Sequence, residues 1–210
     1  MHIHTACHNP WVTDTSVVRR PIAYAIVLIV AGVAGLFAAF QLTLDKFAVL
    51  INPDANLTCN ISVVVECATN LGSSQGSLFG FPNPLLGLAG WVAPIVVGAA
   101  LLAGARFDRW FRVAFLVGIL AAMSLVVFLI TTSIFVLGTL CIWCMLTWAA
   151  IIPVFWMVSL GSLRDGTITG NPGVRSVAGS LYTWIPAITL VSYLVIAVLA
   201  QLRLDVLSTL

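Results

Sequence analysis

The chain has 210 residues, of which 61% are hydrophobic and only 8% are charged. Soluble globular domains carry about a quarter of their residues as charged side chains, so this composition excludes an ordinary soluble protein. The mean hydropathy of +1.12 indicates an integral membrane protein, and a net charge of only +2 does not point to a nucleic-acid partner.

Five apolar segments are long enough to cross a membrane, because a helix needs about 20 residues to span a hydrocarbon core of about 30 Å. The uncharged run 113–163 is too long for one span at about 1.5 Å per residue. It must fold into a hairpin, and Gly138 with Thr139 is the predicted turn. In chain order, the predicted spans are 21–42, 85–105, 113–137, 140–160 and 181–202.

These spans predict an all-α integral membrane protein with a four-helix transmembrane bundle as its core, an outer loop or short helix that carries cysteines, and a fifth transmembrane helix. The first span is longer than the ~7–15-residue apolar stretch of a signal peptide, so we expect it to remain as an anchor. Gly, Ser, Thr and Asn are frequent in 164–180, which predicts a loop. The predicted division is a tail 1–18, the core 19–163 with the outer loop 44–84, the loop 164–180, the fifth helix 181–202 and a tail 203–210.

Basic residues are distributed unequally between the two predicted sides of the membrane. Alternating topology places only Lys46 and Arg203 on one side and seven arginines on the other. Since cytoplasmic segments are enriched in basic residues, the arginine-rich side, the N-terminus and the loop 164–180 are predicted to be cytoplasmic. The outer loop and the turn at 138–139 are then exported. The seven residues are Arg19, Arg20, Arg106, Arg109, Arg112, Arg164 and Arg175.

Four of the five cysteines form two pairs on the predicted exported side, where disulfides form and persist. Cys59 and Cys67 lie in the outer loop, and Cys141-Ile142-Trp143-Cys144 begins the fourth span. Residues at i and i+3 share a helical face, and the N–H groups of a helix amino terminus favour a thiolate. The pattern predicts a redox-active dithiol.

There are two alternatives to this prediction. The cysteines could merely pack in the helix, or all four could form a zinc site. The eight-residue step from Cys59 to Cys67 fits zinc poorly, because zinc knuckles favour two short pairs.

Other residues have two interpretations each. Asn83 lies at bilayer depth, where a polar side chain is a functional candidate, but it could also be a helix N-cap. Trp143 and Trp148 could line a pocket beside Cys144 or anchor the chain at the interface. An apolar stretch at 61–65 could lie on the membrane surface, and the long outer loop could cover a buried site. We expect Cys7, with the nearby His2, His4 and His8, to belong to a tail without chemistry rather than to a metal site.

With these motifs in this order, the chain resembles the vitamin K epoxide reductase family in its bacterial form, over about 21–160. The resemblance is carried by Cys59 with Cys67, by the segment FGFPNPLLG at 79–87, and by the Cys-x-x-Cys at Cys141 and Cys144. DsbB-type oxidases have the two kinds of cysteine pair in the reverse order. The resemblance implies a bacterial cell (inner or plasma) membrane, and no fused thioredoxin-like domain is expected.

The resemblance also implies a role for each cysteine. Cys141 and Cys144 would be the active-site pair, with Cys144 nearer to the quinone. Cys59 and Cys67 would be the shuttle pair, in which Cys67 exchanges with Cys141 and Cys59 contacts the partner. That partner would be a separate exported thioredoxin-fold (DsbA-like) protein, and the electron acceptor would be a membrane quinone, menaquinone rather than ubiquinone.

Around the quinone, the resemblance implies that Asn83 donates a hydrogen bond to a quinone oxygen and that Phe79, Phe81 and Trp143 belong to the pocket. Trp148 stands where animal members have a tyrosine, and an indole N–H can donate a hydrogen bond but cannot accept one. The implied activity is therefore thiol:quinone oxidoreduction. The alternatives are a thiol-dependent vitamin K epoxide or quinone reductase and, in a different class, a small transporter or assembly factor with structural cysteines. The predicted spans contain no Asp, Glu, Lys or Arg to mark an ion path.

Overall fold

The computed structural model describes residues 22–52, 57, 59 and 64–209, and these residues form a bundle of α-helices. A 3₁₀-helix, Ser74–Ser77, follows α2, and the last turns of α4 continue as a π-helix, Thr132–Leu137. The α-helices are α1 (Ile22–Ile51), α2 (Ala68–Gly72), α3 (Pro84–Leu102), α4 (Arg109–Thr131), α5 (Ile142–Arg164), α6 (Pro172–Thr183), α7 (Ile185–Leu204) and α8 (Val206–Thr209).

Five of these helices are long and apolar enough to cross a membrane, which confirms the predicted number of spans for the described part of the chain. The chain is a multi-pass membrane protein with a helical bundle fold. Many large apolar side chains face outward, for example Leu190, Leu194 and Val198 on α7. Such an exposed apolar surface is stable in lipid and not in water.

The first helix is longer than predicted, and this corrects the outer loop, which was expected to begin at residue 44. α1 continues to Ile51, because 43–51 contains no glycine or proline and consists largely of residues that a helix accepts. At about 1.5 Å per residue, its 30 residues exceed the hydrocarbon thickness. The last turns of α1 therefore extend beyond the core of the bilayer and carry Asp45 and Lys46 with them.

The predicted hairpin between the third and fourth spans is confirmed. Gly138 has a φ of +72°, which glycine adopts without the steric cost that a side chain brings. Its N–H donates to the Ser133 carbonyl at 3.0 Å and closes the π-helical end of α4. Cys141 is the extended N-cap residue of α5 rather than part of its first turn, whereas Cys144 lies within that turn.

The segment predicted as the loop 164–180 contains most of a further helix, α6, which corrects that expectation. Asn171 caps α6, since its side-chain oxygen accepts the Gly173 N–H at 2.9 Å. Pro172 follows at the first helical position, where proline is favoured. The polar residues that were interpreted as a loop thus include the cap of a helix. α7 then begins at Ile185, a few residues later than predicted.

Small residues allow α1 and α3 to pack closely in opposite directions. A Cβ at Gly35 would lie 2.1 Å from the Trp91 ring, and one at Gly98 would lie 2.7 Å from the Ala25 carbonyl oxygen. Close approach at glycine is the usual basis of helix association in membranes. This antiparallel pairing places the end of α1, the start of α3 and the start of α5 at one end of the bundle, hereafter the cysteine end.

Candidate dithiol–disulfide site

The two cysteines of the outer loop are joined. Cys59 and Cys67 form a disulfide with Cα atoms 5.9 Å apart, and both side chains are buried. They pack with Leu42, Leu57 and Leu71 in a small apolar cluster that also contains Cys141. The disulfide therefore lies inside the protein at the cysteine end, under a cover of apolar side chains.

The Cys-x-x-Cys pair is a dithiol, and one of its sulfurs touches the disulfide. Cys141 and Cys144 are both free, and the Sγ atoms of Cys141 and Cys67 are 3.0 Å apart. Because Cys67 is disulfide-bonded, only the Cys141 thiol has a proton to donate in this contact. Cys144 is half-buried and packs against both this cluster and the main helical core.

A short backbone pairing holds these sulfurs together. Val65 and Leu140 form an isolated parallel β-bridge. The Glu66 N–H donates to the Leu140 carbonyl at 2.8 Å, and the Leu140 N–H donates to the Val64 carbonyl at 2.7 Å. Val65 is buried in the protein and so does not lie on the membrane surface. That location stays a prediction for the half-buried Val64, and 61–63 lie outside the described residues. The bridge fixes the chain just before each of the two touching cysteines.

Side chains tether the short helix α2 from two directions. The Asn70 amide donates to the Thr139 hydroxyl at 3.0 Å, and the Ser133 hydroxyl donates to the Thr139 carbonyl. On the other side, the Lys46 ammonium donates to the Leu71 carbonyl at 2.5 Å. Since α2 begins directly after Cys67, these bonds help to position its sulfur.

Asp45 is a site residue that the sequence-based prediction missed. Its Oδ2 lies 3.4 Å from the Cys59 Sγ, a contact that becomes a hydrogen bond only when Cys59 is a thiol. The carboxylate oxygen and the sulfurs of Cys59 and Cys67 lie within 4.8 Å of one another, but a disulfide is a poor metal ligand and we assign no metal site here. The sequence did contain a signal that could have identified Asp45, namely an acidic side chain near the end of an apolar helix.

The surroundings of Cys141 favour its ionised form. A hydrogen bond from the Cys144 side chain lowers the pKa of the Cys141 thiol below its ordinary value, and the backbone N–H groups of Cys144 and Trp143 act in the same direction. Burial and the charge of Asp45 oppose this shift without cancelling it. The start of the helix was expected to favour a thiolate, and the residue whose thiolate it favours is Cys141.

Asn83 is buried and connects the loop to α3. Its side-chain oxygen accepts the Leu78 N–H at 3.1 Å, and its amide donates to the Gln75 carbonyl at 2.7 Å. Asn83 is the N-cap residue of α3, but its side chain makes no capping hydrogen bond, so the alternative role of a side-chain helix cap is wrong. The amide has two N–H donors, and Gln75 uses one of them. The predicted contact with a quinone oxygen stays a prediction.

The predicted pocket aromatics lie in different environments. Trp148 is only 5% exposed and belongs to the main core, whereas Phe79 and Phe81 are 64% and 40% exposed and stack on each other. Trp143 packs edge-on against Phe37. Its indole N–H is buried without a hydrogen-bond partner of good geometry among the described residues, although Asp45 is near enough to interact with this donor.

The N-terminal group of Cys7, His2, His4 and His8 lies outside the described residues.

A membrane helical bundle that brings a disulfide into contact with a dithiol belongs to the class of membrane thiol–disulfide oxidoreductases. The sequence model of the vitamin K epoxide reductase family matches residues 26–159, more than half of the chain, and the chain belongs to this family. No curated protein matches the chain. The match includes most of α1, all of α3 and α4, and most of α5, and it leaves out α6, α7 and α8. The family is associated with quinones and with thioredoxin-like partners in general.

Proposed function

We propose that this protein is a thiol:quinone oxidoreductase that reoxidises an exported thioredoxin-fold protein and passes the electrons to a membrane quinone. The observation that carries the proposal is the 3.0 Å contact between the Sγ atoms of Cys67 and Cys141, with Cys67 in a disulfide and Cys141 free. Thiol–disulfide exchange requires this kind of approach between an attacking and an attacked sulfur.

Electrons enter through the shuttle pair. A thiolate of the reduced partner attacks Cys59 and releases Cys67, and the partner's second thiol then displaces Cys59, which leaves Cys59 and Cys67 reduced. Cys67 attacks Cys141 of the oxidised Cys141–Cys144 pair and releases Cys144. Finally, Cys59 attacks Cys67, restores the Cys59–Cys67 disulfide and releases Cys141. The structure has the cysteine states that this last step produces.

The lowered pKa of the Cys141 thiol supports this direction of transfer. In an exchange, the thiol of lower pKa is the better leaving group. Cys141 leaves when Cys59 attacks Cys67, and the hydrogen bond from Cys144 stabilises the thiolate that results. The same arrangement supplies a ready pair of thiols for the next oxidation.

A membrane quinone would accept two electrons and two protons from Cys141 and Cys144. The buried indole N–H of Trp143, which lies near Asp45 but has no well-aligned partner among the described residues, and the second amide hydrogen of Asn83 are donors that fit a quinone's carbonyl oxygens. Cys144 faces the helical core from the same end of the bundle. These residues would hold and orient the ring, and they would stabilise the negative charge that develops on its oxygens. Menaquinone is the quinone we favour.

The distribution of basic residues supports one orientation of the protein in the membrane. Among the described residues, five arginines lie at the end opposite to the cysteines, and only Lys46 and Arg203 lie at the cysteine end. By the positive-inside tendency, the cysteine end faces the exported side of a bacterial cell membrane. The arginines are Arg106, Arg109, Arg112, Arg164 and Arg175.

Replacement of Cys144 tests the proposal. In Cys144→Ala, we expect quinol formation to stop, because the thiol pair can no longer deliver two electrons, while a disulfide-linked complex with the thioredoxin-fold partner still forms. The measurement is quinol absorbance with purified protein, reduced partner and a menaquinone analogue. Cys7→Ser is the matched control and should keep the full rate. Quinol formation at the normal rate in Cys144→Ala would show that the proposed mechanism is wrong.

A further inference from the structure

Cys59 has to lose a proton before it can complete the relay. In the last exchange of the proposed function, on which this inference rests, Cys59 attacks the Cys67–Cys141 bond as a thiolate. An ordinary cysteine thiol has a pKa of about 8.5 and is mostly protonated at neutral pH. With the Cys59–Cys67 disulfide closed, which is the arrangement that this last exchange restores, Cys59 is only 1% exposed. Bulk water is therefore poorly placed to remove its proton in that step.

The only acidic oxygen that the structure places beside Cys59 among the described residues belongs to Asp45. The Oδ2 to Sγ distance is 3.4 Å, which is within the range of a hydrogen bond from sulfur. Asp45 is held on the rigid end of α1, while Cys59 is held by its bond to Cys67. Asp45 is half-buried, so a proton placed on it has a path to solvent that Cys59 itself lacks.

We propose that Asp45 is a catalytic residue of the relay and that its carboxylate takes the Cys59 proton as Cys59 attacks Cys67. The Cys59–Cys67 bond forms, the Cys67–Cys141 bond breaks, and Cys141 leaves as a thiolate. The proton then passes from Asp45 to solvent or to the Cys141 thiolate. No electrons beyond the pair already in the cysteines are needed, and the carboxylate is regenerated.

The neighbouring charged groups do not pair with Asp45, and the Trp143 indole N–H that lies near it is uncharged. Lys46 follows it in α1, but its ammonium binds the Leu71 carbonyl. Glu66, next to Cys67, accepts the Thr69 hydroxyl at 2.9 Å. The Cys141 thiol senses the charge of Asp45, so transfer of a proton to Asp45 also removes a negative charge that disfavours the departing Cys141 thiolate. Proton acceptance and departure of the leaving group are thereby linked.

The experiment follows the relay without quinone. Full-length protein with both cysteine pairs oxidised and Cys7→Ser receives one equivalent of dithiothreitol, with a chelator present to remove stray metals. Samples are quenched in acid, alkylated and mapped by mass spectrometry. In the wild-type chain, the Cys67–Cys141 mixed disulfide appears briefly and resolves. In Asp45→Asn, it should persist about 100-fold longer at pH 7, which is within the usual contribution of general-base catalysis.

The pH dependence separates proton transfer from a structural effect. The difference in resolution rate between Asp45→Asn and wild type should shrink as the pH rises toward the pKa of an ordinary thiol, because Cys59 then ionises without help. Asp45→Glu should restore part of the rate. Asp108→Asn, at the opposite end of the bundle, is the matched control and should resolve normally.

Three outcomes would overturn the inference. Resolution in Asp45→Asn as fast as in wild type would show that Asp45 takes no proton, and equal slowing at every pH would show that it only supports the structure. A wild-type chain in which dithiothreitol electrons never reach Cys141 and Cys144 would refute the relay itself, together with this inference. A failure to reduce quinone, by contrast, would leave the result on Asp45 intact because no quinone is present.

Discussion

At the scale of single residues, the chemistry is concentrated in a few atoms around Cys141. Its sulfur touches that of Cys67 at 3.0 Å, across a separation of 74 positions in the chain. On the other side, the Cys144 side chain hydrogen-bonds to it and lowers the pKa of its thiol. One sulfur thus lies between the disulfide and the second thiol of the Cys-x-x-Cys, which is the order that the proposed relay requires.

The lowered pKa of the Cys141 thiol can be measured directly. With the Cys59–Cys67 disulfide intact, the ultraviolet absorbance of the thiolate should give a first midpoint below the ordinary value of about 8.5. Above that midpoint the thiolate is present, and below it Cys141 is protonated and a poorer leaving group. Cys144→Ala removes the largest cause of the shift, so the midpoint should rise.

The matched control for this titration is Cys141→Ala, which keeps Cys144 as the remaining free thiol of the pair. The two thiols interact, so the midpoints of the intact pair belong to both together, and each single variant assigns one of them. An unchanged first midpoint in Cys144→Ala would contradict the role given to the hydrogen bond between the two side chains.

At the scale of helices, the extended end of α1 supports the site from outside the hydrocarbon core. It contributes Asp45 beside Cys59 and Lys46 on the carbonyl of Leu71. The Val65–Leu140 bridge and the contact between Asn70 and Thr139 fasten the same short segment to the α4–α5 hairpin. The Cys59–Cys67 disulfide is therefore held between two separate helical elements.

The close packing of α1 on α3 gives a prediction about stability. Gly35→Ala would place a methyl group 2.1 Å from the Trp91 ring, and the ring or the helices must move. Overpacking of this kind costs about 1–3 kcal/mol, so the variant should melt at a lower temperature in detergent. Thermal unfolding followed by circular dichroism is the measurement.

Gly90→Ala is the matched control for this substitution. Gly90 lies on α3, and a Cβ there would meet nothing within 4 Å. Because alanine favours helix more than glycine does, this variant should melt no lower than wild type. Equal losses in the two variants would mean that glycine content, rather than the Gly35–Trp91 contact, sets the stability of the helix pair.

At the scale of the whole molecule, the two ends of the bundle differ in character. One end holds the cysteines, Asp45 and the loop structure, and the other holds five of the described arginines. The cysteine relay proposed above requires the first end to meet an exported partner. The charge distribution and the location of the cysteines therefore support the same orientation.

Labelling of intact cells tests this orientation. In a chain without its native cysteines, Ser74→Cys at the cysteine end should react with a membrane-impermeant maleimide added from outside. Ala105→Cys, at the arginine-rich end, should react only after the membrane is made permeable. Both positions are exposed in the structure. The reverse pattern would place the cysteine pairs in the cytoplasm and exclude an exported partner.

Several features followed from the sequence because they depend on local properties of the chain. Hydropathy and length are sufficient to count membrane spans, and an uncharged run longer than the bilayer must turn near its middle, where Gly138 lies. The prediction that the Cys-x-x-Cys is reactive likewise rests on its place at a helix start. The exact ends of α1 and the presence of α6 were misjudged, because polar composition alone does not distinguish a loop from a capped surface helix.

Only the tertiary structure decided the contacts between distant parts of the chain. The 3.0 Å approach of Cys67 to Cys141 was suggested by family resemblance, but no local pattern contains the Val65–Leu140 bridge that produces it. Asp45 beside Cys59 and the binding of Asn83 to the loop backbone were not predicted at all. Each depends on how far a helix continues and on which segment packs against it, and the free energy that selects these arrangements comes from residues that are remote in sequence.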